Sequence, residues 1–145
     1  MKKILMIVAV GLMSLPTFAQ TADNSDVLRR ADVMPVFQDC EDERFAEHPY
    51  RCTIMQLMAH FDDAVQLTNV VGAQTKAHLK FVVEKDGSVS NVDLVRGVIV
   101  NDPSVAQQLD AGIVTVANQL EFQSAGVQDG EAVRVQVEFS VSLNY

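Results

Sequence analysis

The chain has 145 residues, the size of a single domain, and 48% of them are hydrophobic, which is enough to form a core. Its formal net charge is −8, because 19 acidic residues outnumber 11 basic ones. This acidic balance argues against a protein that binds nucleic acid or an anionic membrane surface, since phosphate contacts require a basic face.

The first 19 residues have the layout of a secretory signal peptide. Lys2 and Lys3 give a positively charged start, and Ile4 to Leu15 is a short apolar run. Small residues then stand at the positions that the signal peptidase reads, so we predict cleavage after Ala19. The apolar run is shorter than the roughly 20 residues of a membrane span. We therefore expect a periplasmic protein, with an uncleaved membrane anchor as the alternative.

Two cysteines, Cys40 and Cys52, flank an acidic segment that also contains His48. An even number of cysteines in an exported chain favours a disulfide between them. A metal site is less favoured, because a structural zinc ion requires four ligands at paired spacings. We therefore predict an N-terminal extension with a disulfide loop, residues 20–52, followed by the main domain, residues 53–145, and neither a metal nor a cofactor.

A helix is predicted from Thr53 to Ala64, with Thr53 as N-cap and Gln56 in the capping-box position. Apolar side chains at helical spacing form one face of this helix. We expect this face to be core and the neighbouring His60 to be at the surface. Upstream, residues 27–35 are expected to hold a short lead-in strand. The apolar face consists of Ile54, Leu57, Met58 and Phe61.

The stretch from Phe81 to Gly97 predicts two strands joined by a tight turn at Lys85-Asp86-Gly87. Asp-Gly between hydrophobic runs is a strong hairpin signal, because glycine adopts the positive φ that the turn requires. Hydrophobic residues alternate with polar ones along both arms, so one face should be buried and the other should face water. The strands are expected over residues 74–84 and 88–96, with His78 on the water-facing side.

A second helix is predicted to begin with Asp102 as N-cap and Pro103 at its first position. Gly112 should let this helix approach the sheet closely, and Phe122 is expected to close the core behind it. The apolar stripe that supports the helix consists of Val105, Leu109, Ile113, Val116 and Leu120.

Residues 132–143 give the clearest strand pattern, because every second residue is hydrophobic without a miss. Asp129-Gly130 marks a turn in the loop before it. The predicted order is helix, strand, strand, helix, strand. This order predicts an α+β fold in which a three-stranded antiparallel sheet carries the helices on one face.

These motifs resemble the TonB C-terminal domain family over about residues 73–144. The hairpin from Phe81 to Ser90 carries most of the resemblance, together with Val95 to Gly97, Leu109 to Ala111 and Asp129 to Val135. Residues 33–40 also resemble the segment before the domain in cysteine-containing members. The resemblance implies a periplasmic module that pairs an extended segment of an outer-membrane transporter with its last strand, which is β-augmentation. The candidate edge residues here are Val133, Arg134, Val135, Gln136, Val137, Glu138 and Phe139.

The chain departs from an energy transducer of that family in four respects. Its N-terminus is expected to be cleaved, and its 4 prolines form no long spacer. The Tyr-Pro pair before the first strand is missing, and Phe122-Gln-Ser124 replaces the Trp-x-Pro after the second helix. The fold is therefore more strongly implied than force transmission.

Three hypotheses for function follow. The first is a soluble periplasmic module that binds a protein or an extended peptide, such as a TonB-dependent transporter, or a second copy of itself through the last strand. The second is a membrane-anchored energy transducer, and the third is a secreted interaction protein unrelated to transport. A purely solvated last strand, in which Arg134 and Glu138 discourage pairing, remains open as well.

Enzymatic activity is not expected. Adjacent carboxylates at residues 41–43 and 62–63 are better explained as surface charge, because hydrolysis needs paired groups in a cleft. The 3 histidines lack the spacing of a zinc protease. If the two cysteines are oxidised, the chain has no free thiol.

Overall fold

A computed structural model describes residues 26–40, 43–65 and 74–144, so the predicted signal peptide lies outside the described residues. The fold is α+β, as predicted. Its elements are β1 (Val27–Leu28), a short 3-10 helix (Glu43–Phe45), α1 (Pro49–Ala64), β2 (Gln74–Val83), β3 (Val89–Arg96), α2 (Pro103–Asn118), β4 (Gly126–Gln128) and β5 (Glu131–Asn144).

β5 is the strand around which the sheet is built. The strand order is β1-β5-β2-β3, and β4 forms an antiparallel hairpin with the start of β5. β2 runs antiparallel to β5 from the pair Gln74–Asn144 to the pair Val83–Val135. The sheet has five strands, so the predicted count of three was too low. β1 lies within residues 27–35, where a lead-in strand was expected, whereas β4 has 3 residues, which is too short for a period-two pattern to be recognised.

The predicted hairpin is confirmed, since β2 and β3 end and begin within one residue of the predicted positions. The Glu84 carbonyl accepts hydrogen bonds from Gly87 N at 2.9 Å, and Glu84 N donates to Ser88 O at 2.8 Å. Gly87 has a φ of +86°, which is the conformation that the Asp-Gly signal indicated. The Asp86 carboxylate accepts a hydrogen bond from Ser88 N at 2.9 Å, which closes the turn.

α1 begins at Pro49, four residues before the predicted start at Thr53. The proline stands in the first turn, where its missing N–H leaves no helical hydrogen bond unmade. Thr53 lies inside the helix and is buried, and its hydroxyl accepts a hydrogen bond from Phe37 N at 3.3 Å. The predicted capping box is therefore wrong, because the N-terminal segment uses the hydroxyl that was assigned to the cap.

α2 begins as predicted, because the Asp102 carboxylate accepts a hydrogen bond from Ser104 N at 2.9 Å. Gly112 plays a different role from the predicted one. A Cβ atom at Gly112 would lie 3.2 Å from Val65 Cγ1, directly after α1. Gly112 therefore brings α2 close to the end of α1, and not close to the sheet.

The core lies between one face of the sheet and the two helices, with α1 packed against β5 and α2 against β3. Phe122 is 6% exposed, so its predicted place in the core is confirmed. Its ring lies 5.9 Å from Phe81 and 5.5 Å from Phe37, which the N-terminal segment contributes. Aromatic contacts continue from Phe81 to Phe139 and from Phe139 to Phe61.

Candidate partner-binding edge

The edge of β5 opposite β2, called the outer edge here, is partly occupied by the chain itself. Val27 and Leu28 of β1 pair in parallel with Arg134 and Val135. Val133 lies beyond the last β2–β5 pair and pairs with Gly126 in the β4–β5 hairpin. The first three of the seven candidate residues are therefore already paired with β1 or β4.

The rest of the outer edge, from Gln136 to Leu143, is called the open edge. In the part of the chain that the structure describes, no strand pairs with it on the side away from β2. Four candidate residues belong to it, and the strand continues beyond them to Asn144. The sequence had signalled this extension, because the hydrophobic alternation runs on to Leu143. The four candidates are Gln136, Val137, Glu138 and Phe139.

Side chains on β5 alternate strictly between the core and the opposite face of the sheet, called the outer face. Val137 and Val141 are 0% exposed, while Glu138 and Ser140 are exposed. In a strand, the main-chain N–H and C=O of one residue point to one edge and those of the next residue to the other. Since Val137 and Val141 have no exposed atom, we infer that their main-chain groups face β2. The groups on the open edge are then those of Gln136, Glu138, Ser140 and Ser142.

A charged network holds β1 beside β5. Arg134 donates from Nε to the Glu84 carboxylate at 2.7 Å and from Nη1 to the Asp26 carboxylate at 2.6 Å. The side chains of Arg134 and Glu84 are only 14% and 24% exposed. The hydrogen bond from Arg134 lowers the pKa of Glu84, and the same bond raises the pKa of Arg134. Both groups therefore stay charged at neutral pH, and Asp26 ties the start of β1 to them.

A second charged pair lies on the outer face beside the open edge. His78 Nε2 and Glu138 Oε1 are 2.5 Å apart, and their side chains are 35% and 46% exposed. His78 is thus on the water-facing side of the sheet, as its phase in the sequence indicated. Its hydrogen bond to Glu138 lowers the pKa of that carboxyl. Glu138 is therefore an ionised and partnered group, held on the face of the sheet.

The two cysteines form the predicted disulfide, which joins the N-terminal segment to α1. Cys52 is 4% exposed and lies in the helix, and the Cα atoms of the pair are 6.2 Å apart. His48 is the N-cap residue of α1 and is exposed. Among the described residues, no group of three or more His, Cys, Asp or Glu side chains could hold a metal ion.

Within residues 26–40, 43–65 and 74–144, no helix has both the length and the apolar character needed to cross a membrane. Comparisons with family models, curated proteins and solved structures found no match for this chain. Its function must therefore be inferred from its own residues.

Proposed function

We propose that this protein is a non-enzymatic periplasmic binding module that accepts an extended protein segment as an added strand on the open edge of β5. The first partner to consider is a TonB-dependent outer-membrane transporter, which the resemblance to the TonB C-terminal domain family implies. Such a segment would gain main-chain hydrogen bonds along the strand, and its alternate side chains would give specificity.

The observation that carries this proposal is the pairing of β1. Val27 and Leu28 lie in parallel against Arg134 and Val135, on the same edge of β5. The outer edge of this strand is therefore compatible with an added strand, and the chain fills only its beginning. A partner segment in line with β1 would continue the pairing from Gln136 towards Leu143.

The charges on β5 do not oppose such pairing. Proteins often protect an edge strand with charged side chains that repel or obstruct an incoming strand. Here Arg134 is bound to Glu84 and Asp26, and Glu138 is bound to His78. Both charges are engaged with neighbours on the sheet, so neither is an unpaired charge that an incoming strand would meet.

The disulfide supports the periplasmic part of the proposal. Disulfides persist in oxidising compartments such as the bacterial periplasm and are rare in the cytosol. The bond between Cys40 and Cys52 is therefore in keeping with the signal peptide expected over residues 1–19. The N-terminal mass of the purified protein tests the export route. A chain that begins at Gln20 supports cleavage, and one that begins at Met1 favours the anchored transducer.

The test of strand addition is a pull-down from periplasmic and outer-membrane extract with the mature protein and two variants. Ser140→Pro removes an N–H that we assign to the open edge, and proline is tolerated where a strand N–H faces solvent. Ser140→Ala removes only the hydroxyl and is the matched control. We expect the wild type and Ser140→Ala to retain a β-barrel transporter and Ser140→Pro to lose it.

Two measurements keep this test decisive. Circular dichroism and thermal unfolding must show that Ser140→Pro is folded, and Ser142→Pro provides a second variant if it is not. Equal capture by wild type and a folded proline variant would overturn the proposal. If the protein instead captures its own copies, and the proline variant does not, the partner of β5 is a second copy of the chain and not a transporter.

A further inference from the structure

An open groove of about 620 Å³ lies on the outer face of the sheet, next to the open edge. Three basic side chains and two serine hydroxyls contribute to its walls. The basic residues come from β2 and β3, and the serines come from β5. Its lining includes Lys76, His78, Arg96, Ser140 and Ser142, with Thr75 and Ile99 at one end.

The groove has the opposite electrostatic character to the chain as a whole. The protein carries a net charge of −8, yet no Asp or Glu is among the described residues that line the groove. Lys76 and Arg96 are exposed, and neither forms an ion pair with a described residue. His78 is held by Glu138, which lies just outside the groove. Two cations are thus available to an anionic ligand.

The register places these groups in rows that end at the open edge. Ser140 pairs with His78, which pairs with Arg96, and Ser142 pairs with Lys76. Because the serine side chains are short, they leave the groove open towards the outer edge of β5. Neighbouring strands are about 4.8 Å apart, so a strand added to that edge would lie about 10 Å from β2. The long side chains of an added glutamate and of Lys76 can meet across this distance above Ser142.

We propose that this groove binds the carboxylate side chains of an acidic segment paired with the open edge of β5. This inference rests on the proposed function and specifies the chemistry of the partner. A carboxylate above Ser142 would meet the Lys76 ammonium, and one above Ser140 would lie towards His78 and Arg96. The guanidinium of Arg96 suits a carboxylate because it offers two parallel donors.

The test compares two synthetic peptides of eight residues with blocked ends. One alternates Thr with Glu and the other alternates Thr with Gln, so that only the charge differs. We expect the Glu peptide to bind the mature protein at least tenfold more tightly than the Gln peptide. In the double variant Lys76→Gln, Arg96→Gln, the preference for the Glu peptide should fall below twofold. The control variant Lys85→Gln, at the exposed hairpin turn outside the groove, should leave that preference unchanged.

Equal binding of the two peptides, or a preference that survives in Lys76→Gln, Arg96→Gln, would overturn the inference and leave the proposed strand addition intact. If neither peptide binds, a titration with glutarate followed by NMR separates the two ideas. Shifts at Ser140 and Ser142 that are lost in Lys76→Gln, Arg96→Gln would support the carboxylate site while counting against strand addition. No shift from glutarate, together with no binding of either peptide, would overturn the inference.

Discussion

Gly87 combines a turn conformation with a close tertiary contact. Its φ is +86°, and a Cβ atom there would lie 2.5 Å from the main-chain oxygen of Phe122. The Gly87 carbonyl also accepts a hydrogen bond from Phe122 N at 2.8 Å. The Asp-Gly signal in the sequence indicated the turn, but nothing in the sequence places the Phe122 carbonyl next to it. The conformational requirement was predictable, whereas the contact depends on how the chain returns after α2.

Alanine substitutions at Gly87 and Gly130 separate these two effects. Both introduce a side chain at a positive φ, but only the one at Gly87 also introduces a close contact. Gly130 has a φ of +79° and no heavy atom within 4 Å of the added Cβ. Gly130→Ala should therefore lower the free energy of unfolding only by the cost of its backbone conformation, about 1–2 kcal/mol. Gly87→Ala adds a clash and should cost at least about 3 kcal/mol. Urea unfolding measures both, and equal losses would show that the Phe122 contact relaxes freely.

The network of Glu84, Arg134 and Asp26 predicts a pH dependence of stability. The hydrogen bond from Arg134 lowers the folded-state pKa of Glu84 below its ordinary value. Glu84 thus stabilises the fold above its unfolded-state pKa, and this contribution is lost as the pH falls through the folded-state pKa. Glu84→Gln should lower the free energy of unfolding at pH 7 by about 1.5–3 kcal/mol, because it weakens hydrogen bonds between charged groups.

The difference between Glu84→Gln and the wild type should shrink as the pH is lowered towards 3, as followed by urea unfolding at each pH. Glu131→Gln is the control, since Glu131 is exposed and forms no ion pair with a described residue. This control should change stability by less than about 0.5 kcal/mol at either pH. A constant difference for Glu84→Gln between pH 7 and pH 3 would contradict the assigned role of its charge.

At the scale of elements, the bounds of long periodic segments were predictable, whereas of the two short strands only β1 lies in a segment that was expected to hold one. β2, β3, α2 and β5 each have enough residues for their period to be read, and their bounds agree with the prediction within a few residues. β1 pairs through only two residues, so only the tertiary structure reveals that it covers the beginning of the outer edge. The sequence therefore indicates β5 as the proposed edge strand, but which part of its edge the chain itself covers was not predictable.

The disulfide supports the contact between the N-terminal segment and α1. Cys40 and Cys52 are 12 residues apart in sequence, and Phe37 just before them is buried against Phe122. Closing a loop of this length stabilises a fold by about 3 kcal/mol in the chain-entropy estimate. Cys40→Ala, Cys52→Ala should lower the free energy of unfolding by that amount in urea. A reductant should destabilise the wild type to a similar extent and leave the double variant unchanged.

Retention of full stability by the reduced wild type would contradict this expectation. It would mean that the packing of Phe37 and the hydrogen bond from its N–H to Thr53 hold the segment without the covalent link.

For the molecule as a whole, β3 and β5, which both present unpaired edge along much of their length, differ in their suitability for a partner. β3 has two register irregularities against β2, and Asn91 within it has a φ of +51°. Bulges of this kind twist an edge and discourage further pairing. β5 pairs with β2 without a register shift from Gln136 to Leu143. The sequence predicted both strands but did not show which of them presents a regular edge, since that depends on the strand order.

Amide hydrogen exchange of the whole protein tests whether the edge of β5 is open. The N–H groups of Val137 and Val141 are assigned to β2 and should exchange only on global unfolding. Those of Glu138, Ser140 and Ser142 are assigned to the open edge and should exchange faster by at least about tenfold. The N–H of Arg134, beside β1, is the internal reference for a covered position. Uniformly slow exchange along β5 would mean that its outward groups are enclosed, and the edge would then offer nothing for a partner strand to pair with.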